Sequence, residues 1–172
     1  MTDGPTCSLD GSCCGPEHPC CPEYNGPVEF RRATASDLAK VEALLSQSHL
    51  PLDGVAACID KFIVAEAAGS IVGSIGMETH EGVGLLRSAA VSKPLQGRGI
   101  GRRLVEELIA DAEGQGISAM YLLTTTAEDY FPSFGFEKIE RDTVPSALEA
   151  SPELQGACPA SAIVMKKELR AS

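Results

Sequence analysis

Along this chain the spacing of apolar and polar positions changes in blocks, and each block predicts an element. Residues 28–33 alternate as a strand does. Leu38, Val41, Leu44 and Leu45 then fall on one helix face, with Thr34 or Ser36 placed to cap its start and Asp37 in its first turn. Residues 49–54 break that helix, and residues 55–59 predict a short second one. Residues 61–67 and 70–78 predict two strands joined in a hairpin at Ala68-Gly69, and residues 83–91 a further strand. Beyond a turn with Pro94, the positions Ile100, Leu104, Val105, Leu108, Ile109 and Ala112 have helical spacing, and Gln115-Gly116 marks the stop. Residues 117–124 are apolar on both faces, as a central strand beside a parallel neighbour should be. A short helix over 127–134 ended by Gly135, a strand over 136–141, a loop with a helical turn over 145–156 and a last strand over 160–168 complete the pattern. The order β-α-α-β-β-β-α-β-α-β-β predicts a mixed α/β fold with an antiparallel first half.

The junction at residues 89–102 carries the chemistry. An apolar strand ends there, and Gln96-Gly97-Arg98-Gly99-Ile100-Gly101-Arg102 opens the long helix. Free backbone N–H groups at the positive end of a helix dipole stabilise an anion such as phosphate, and glycines let the backbone approach it. The nucleoside triphosphate loop is excluded because Gly101 is followed by Arg102-Arg103, not by Lys-Ser/Thr. The dinucleotide fingerprint is excluded because Gly97-x-Gly99-x-Gly101 has the wrong period.

Composition narrows the partners. A chain of 172 residues has the size of one domain, and a net charge of −10 disfavours nucleic acid and anionic membrane surfaces. No apolar run is long enough to span a bilayer and the N-terminus lacks a secretion-signal layout, so a cytoplasmic protein is expected. Five of the seven cysteines, Cys7, Cys13, Cys14, Cys20 and Cys21, lie in the first 21 residues. Residues 1–26, dense in Gly, Pro and Cys without apolar periodicity, predict a flexible extension ahead of a domain over 27–172. The cysteine spacing does not match the Cys-x2-Cys pairs of structural zinc sites, but vicinal thiols can gather around a soft ion such as arsenite, Cu(I) or Zn; unstructured, reactive thiols are the alternative.

Gln96-x-x-Gly99-x-Gly101, after a strand ending in Ala-Val and before a helix, resembles the acetyl-coenzyme A signature of the GCN5-related N-acetyltransferases, GNAT. The resemblance covers residues 28–170. It implies a mostly antiparallel sheet, flanked by helices and splayed between two central parallel strands, with acetyl-CoA as donor in the gap and no obligatory metal. It further implies that Ala89, Ala90 and Val91 pair with the pantetheine amides, and that Gln96, Gly97, Arg98, Gly99, Ile100, Gly101 and Arg102 hold the pyrophosphate. Thr124, Thr125, Ala127 and Phe131 are expected along the second wall. Asp60-Lys61-Phe62-Ile63-Val64-Ala65-Glu66, Leu85-Leu86-Arg87-Ser88, Leu122-Leu123-Thr124-Thr125-Thr126-Ala127, Phe134-Gly135-Phe136 and Cys158-Pro159-Ala160-Ser161-Ala162 resemble the N-acetyltransferases of arsenic-resistance operons. Several of these blocks also resemble the acetyltransferase domain of N-acetylglutamate synthases. Both resemblances imply a small amino acid, or a toxic analogue of one, as acceptor; a homodimer is a separate expectation. An acyl-CoA-binding or metalloid-binding protein without catalysis, and a protein acetyltransferase, are the alternatives.

Two catalytic positions depart from the family pattern. The usual strand carboxylate is replaced by Leu85, so Glu78, His80 and Glu81 are the nearest substitutes, with Glu78 favoured as general base. The usual tyrosine position holds Phe131, and the hydroxyl sits next door on Tyr130, the candidate general acid. Arg87, followed by Ser88, is the candidate for binding the acceptor's carboxylate through its planar fork. The alternative for Arg87 is a surface ion pair with Glu78 or Glu81 across the sheet.

Overall fold

The computed structural model describes residues 25–170. The cysteine-rich segment, with Cys7, Cys13, Cys14, Cys20 and Cys21, lies outside the described residues, and the division proposed at residue 26 falls at their edge.

Among the described residues there are seven strands: β1 (Glu29–Arg32), β2 (Ile63–Ala67), β3 (Ser70–His80), β4 (Val83–Val91), β5 (Ala119–Thr124), β6 (Glu137–Ile139) and β7 (Ile163–Glu168). They form one sheet in the order β1-β2-β3-β4-β5-β7-β6. Every neighbouring pair is antiparallel except β4 and β5, which run parallel. The hairpin expected at Ala68-Gly69 joins β2 to β3, and both residues turn there at positive φ.

Two helices cover the sheet, one on each face. Helix α1 (Leu38–Gln47) buries Val41, Leu44 and Leu45 in a cluster with Val55, Ile59, Phe62 and Val64. Of the two candidate caps, Thr34 precedes the first helical turn, and its backbone N–H donates to Asp37 Oδ2 at 2.8 Å. Helix α2 (Ile100–Gly114) buries Ile100, Leu104, Val105, Leu108 and Ala112 against Ile75, Met77, Leu86 and Met120 on the other face. Each such aliphatic side chain, removed from water, contributes on the order of 2 kcal/mol. These contacts anchor the start of α2 firmly beside the end of β4.

Several predicted elements are shorter or tighter than expected. The second helix is a 3-10 segment over Ala56–Lys61, because Cys58 leaves helical geometry at φ −129° and its thiol donates to the Gly54 carbonyl at 3.2 Å. The helix predicted over 127–134 survives as one 3-10 turn, Phe131–Phe134, with Pro132 in its first turn and Gly135 ending it at φ +88°. The strand predicted over 136–141 spans only Glu137–Ile139.

Candidate functional site

The sheet parts in its middle. β4 and β5 pair only from Val83↔Ala119 to Leu86↔Leu122, although β4 continues to Val91 and β5 to Thr124. A local irregularity drives the parting. Between Ser74 and Gly76 of β3 the register with β4 slips, and Ser88 sits opposite that slip at φ +56°, a bulge that turns the rest of β4 away from β5. Ser74 Oγ donates to the Ser88 carbonyl at 3.1 Å and holds the bulge in place.

The gap opens into a cleft of about 550 Å³. One wall is Ala89, Ala90 and Val91 of β4; the end is the loop from Gln96 to Arg102 and the first turn of α2; Ala127 and Tyr130 close the far side. Gly99 takes φ +81° at the helix N-cap and Gly97 takes φ +78°, both in the left-handed region where a Cβ is strained. A Cβ built at either position would meet nothing within 4 Å, so their backbone stands open to the solvent side. Gln96 Nε2 donates to the Val91 carbonyl at 3.0 Å and pins the loop to the end of β4. Open amides at the N-terminus of a 15-residue helix are the donor set that a pyrophosphate needs. The residues expected to hold acetyl-CoA therefore fit it on the β4 and loop sides. Arg102 and Arg103 flank the loop, paired with Glu106 and Glu107 one turn along, and Arg103 stacks over Phe30 at 4.5 Å.

The second wall differs from expectation. Thr124 Oγ1 accepts from the backbone N–H of Ala127 at 2.9 Å, so this side chain closes a turn, and Thr125 is exposed. Phe131 is 5% exposed and packs edge-to-face on Phe136 in the core, away from the cleft lining. Tyr130 is 42% exposed and lines the cleft; its hydroxyl lies 3.3 Å from where a Cβ of Gly101 would be. In this 3-10 turn it is the Tyr130 hydroxyl, and not the Phe131 ring, that reaches the start of α2. Burial of part of the ring raises its pKa, which keeps Tyr130 a proton donor at neutral pH.

On the α1 face, beside the same bulge, lies a second polar cluster. Arg87 is 2% exposed, so the surface ion pair considered for it is replaced by a buried one. Its Nη1 donates to Glu78 Oε1, its Nη2 to the Asp53 carbonyl and its Nε to Ser88 Oγ at 3.2 Å, while Glu153 Oε1 lies 3.6 Å from Nε. Burial pushes Glu78 up, but hydrogen bonds from Arg87 and Ser151 outweigh it and hold the carboxylate below its usual range. A carboxylate held in that way is a weak proton acceptor, which counts against the general-base role expected of Glu78. Of the other substitutes, His80 Nε2 lies 3.3 Å from Glu78 Oε2, and Glu81 occupies the β3–β4 turn at φ +46°. Leu85 is fully buried with Ala119, Tyr121 and Leu148. Sequence reasoning missed Glu153, which is 4% exposed; burial pushes its carboxyl up to about 7, against the pull of Arg87. Cys58 and Cys158 are free thiols, and burial raises each to about 11, so neither is a thiolate at neutral pH.

Among the described residues no group of His, Cys, Asp and Glu side chains has metal-binding geometry, and no helix is long and apolar enough to cross a membrane.

Comparison with known proteins bears on the fold that carries these two clusters. The family profile of the acetyltransferase (GNAT) domain matches residues 59–138. The amino-acid acetyltransferase of Neisseria meningitidis is 28% identical over 127 residues, 69% of this chain and 29% of that protein. That of Ralstonia nicotianae is 34% identical over 89 residues, 51% of this chain and 20% of that protein. The chain thus spans less than a third of the length of these relatives. In structure it is similar to N-acetylglutamate synthase from Neisseria gonorrhoeae, solved with coenzyme A and N-acetyl-glutamate: TM-score 0.72, 24% identity, 86% of this chain and 36% of that one. A Mycobacterium tuberculosis protein solved with CoA gives a TM-score of 0.70 at 22% identity, over 83% of this chain and 99% of that one. Residues 59–138 are thus similar to the acetyltransferase (GNAT) domain, and the mixed, mostly antiparallel sheet with one parallel pair in which they lie matches the fold of these structures.

Proposed function

We propose that this chain is an acetyl-CoA-dependent N-acetyltransferase whose acceptor is a small amino acid with a free α-amino group. The observation that carries the proposal is the cleft itself. It runs from the bulge at Ser88 to the open N-terminus of α2, and its two ends suit an acyl-thioester and a pyrophosphate respectively.

Backbone groups of Ala89 to Val91 are placed to pair with the amides of a pantetheine arm, and loop amides from Gln96 to Arg102 with the pyrophosphate. A neutral amine attacks the thioester carbonyl, the acetyl C–N bond forms, the nitrogen gives up its extra proton to water, and the C–S bond breaks with coenzyme A leaving as thiolate. Tyr130, at the cleft wall and protonated at neutral pH, is the group in reach to return a proton to that sulfur. Arg87 binds the acceptor's carboxylate, and Glu78 holds Arg87 in place.

The names of the relatives support amino acids as the acceptor class, and the gonorrhoeal complex makes L-glutamate the first candidate. The resemblance to arsenic-operon acetyltransferases and the cysteine-rich segment support organoarsenic and phosphinic glutamate analogues as further acceptors to try.

A thiol-reporter assay with an amino-acid panel tests the reading. Coenzyme A release that requires an acceptor, with the acetylated amine seen by mass spectrometry, is the expected result. Tight acetyl-CoA binding with no release for any acceptor would favour an acyl-CoA-binding protein instead.

A further inference from the structure

A guanidinium offers a carboxylate two edges of paired N–H groups, and the one formed by Nε and Nη2 is the usual chelating face. On Arg87 that edge is filled by three oxygens, two of them from outside its own strand. The Asp53 carbonyl takes Nη2 and the Glu153 carboxylate faces Nε at 3.6 Å, while Ser88 Oγ shares Nε. The other end of the guanidinium is held by Glu78 from the neighbouring strand.

The two oxygens come from different loops, which meet directly over Arg87. A Cβ on Gly54 would stand 2.9 Å from Arg87 Nη1 and 3.3 Å from Pro152 Cγ, and Gly54 turns at φ +78°. Neither loop is part of the sheet that positions Arg87. Glu153 itself begins a wide helical turn, Glu153–Ala157, interrupted at Gly156 with φ +123°.

We infer that Glu153 is a specificity-determining residue that occupies the acceptor-carboxylate edge of Arg87 together with the Asp53 carbonyl, and that an acceptor binds by replacing both. This rests on the reading of Arg87 given above. Glu153 is suited to give way. It lies farther from the guanidinium than a full hydrogen bond, and its partners are few: Arg87 from β4, Glu78 from β3, with His80 behind Glu78, and the Cys158 thiol on its own loop. As a neutral acid it relinquishes the cation at little electrostatic cost; as an anion it competes with the incoming carboxylate. An acceptor with a carboxylate next to its amine is thereby selected over a simple amine, which gains nothing by displacing Glu153.

The test compares wild type with Glu153→Gln, which keeps shape and removes the charge. With L-glutamate and acetyl-CoA, the wild-type KM for L-glutamate relative to that of the variant should rise about tenfold between pH 6 and pH 8, while the ratio of kcat values stays flat. The KM for acetyl-CoA should not follow. Calorimetry in two buffers of different ionisation enthalpy gives a second readout: at pH 7.5 wild type should take up a proton on binding L-glutamate in the presence of coenzyme A, and the variant should not. A pH-flat KM ratio, or equal proton uptake in both proteins, overturns the inference and leaves the functional reading standing. A loss of kcat without a change in KM also overturns it, because Glu153 would then be acting as a base. Failure of every amino acid to be bound or acetylated overturns the functional reading, and this inference falls with it.

Discussion

Two clusters in this fold each place one arginine between two carboxylates, and they behave oppositely. At the edge of the sheet, Arg31 of β1 binds Asp37 at 2.8 Å and Glu66 at 2.6 Å, with its side chain 36% exposed. In the interior, Arg87 of β4 binds Glu78 closely but stands 3.6 Å from Glu153, with none of its side chain exposed. The Arg31 hydrogen bonds hold Asp37 far below the usual carboxylate range, whereas burial lifts Glu153 to about 7. The outer arginine satisfies both partners because water screens their mutual repulsion and Thr34 adds its own hydrogen bond to Asp37. The inner arginine satisfies one; the second carboxylate pays for desolvation without a matching contact. The same charged groups thus give a structural clamp in one place and an unfinished ion pair in the other. An unfinished pair is the one with capacity for a ligand.

The largest expected effect separates the arginines themselves. Arg87→Ala leaves Glu78 and Glu153 buried without a cation and should cost about 3–5 kcal/mol of stability, against about 1 kcal/mol for Arg31→Ala, read by urea denaturation. Equal losses would erase the contrast. Next comes the pH dependence of Glu153. Its folded pKa stands above the unfolded value of 4.5, so its contribution is fully present below that value and is lost as pH rises through about 7. Stability should fall by as much as about 3 kcal/mol across that window in wild type and much less in Glu153→Gln. Asp37 has the reverse sign: its contribution is present near neutrality and is lost as pH falls into the strongly acidic range. Asp37→Ala should cost about 2 kcal/mol at pH 7 through the lost cap and ion pair together, and less in acid. Smallest is Arg87→Lys, which keeps the charge and loses the fork. A rise of about tenfold in the L-glutamate KM, with the acetyl-CoA KM unchanged, is expected; equal changes in both would remove Arg87 from acceptor binding.

What could be read from the chain was local. The loop from Gln96 to Gly101 and the helix behind it declare themselves because glycine spacing and helical periodicity are properties of adjacent residues, and α2 begins within one residue of that pattern. Strands β2 to β5 follow their apolar runs for the same reason. Arg87 is different. Nothing near it in sequence says that Asp53, 34 positions away, will reach over it, or that a loop after β6 will cover it, so a buried residue reads as a surface one. Glu153 lies in a stretch that reads only as a loop with a helical turn; tertiary closure alone takes it out of water. Tyr130 and Phe131 show a finer case. They are neighbours in sequence, and which ring faces the cleft is set by the tight turn that begins at Phe131.

The parting of β4 from β5 leaves main-chain hydrogen-bonding groups unpaired in the centre of a sheet, where most proteins have none. Such an internal rim accepts any extended segment that carries amides at peptide spacing, including a strand from a neighbouring molecule. On the proposed function a pantetheine arm covers that rim, so concentrated stocks should remain clear for longer with coenzyme A in the buffer than without it.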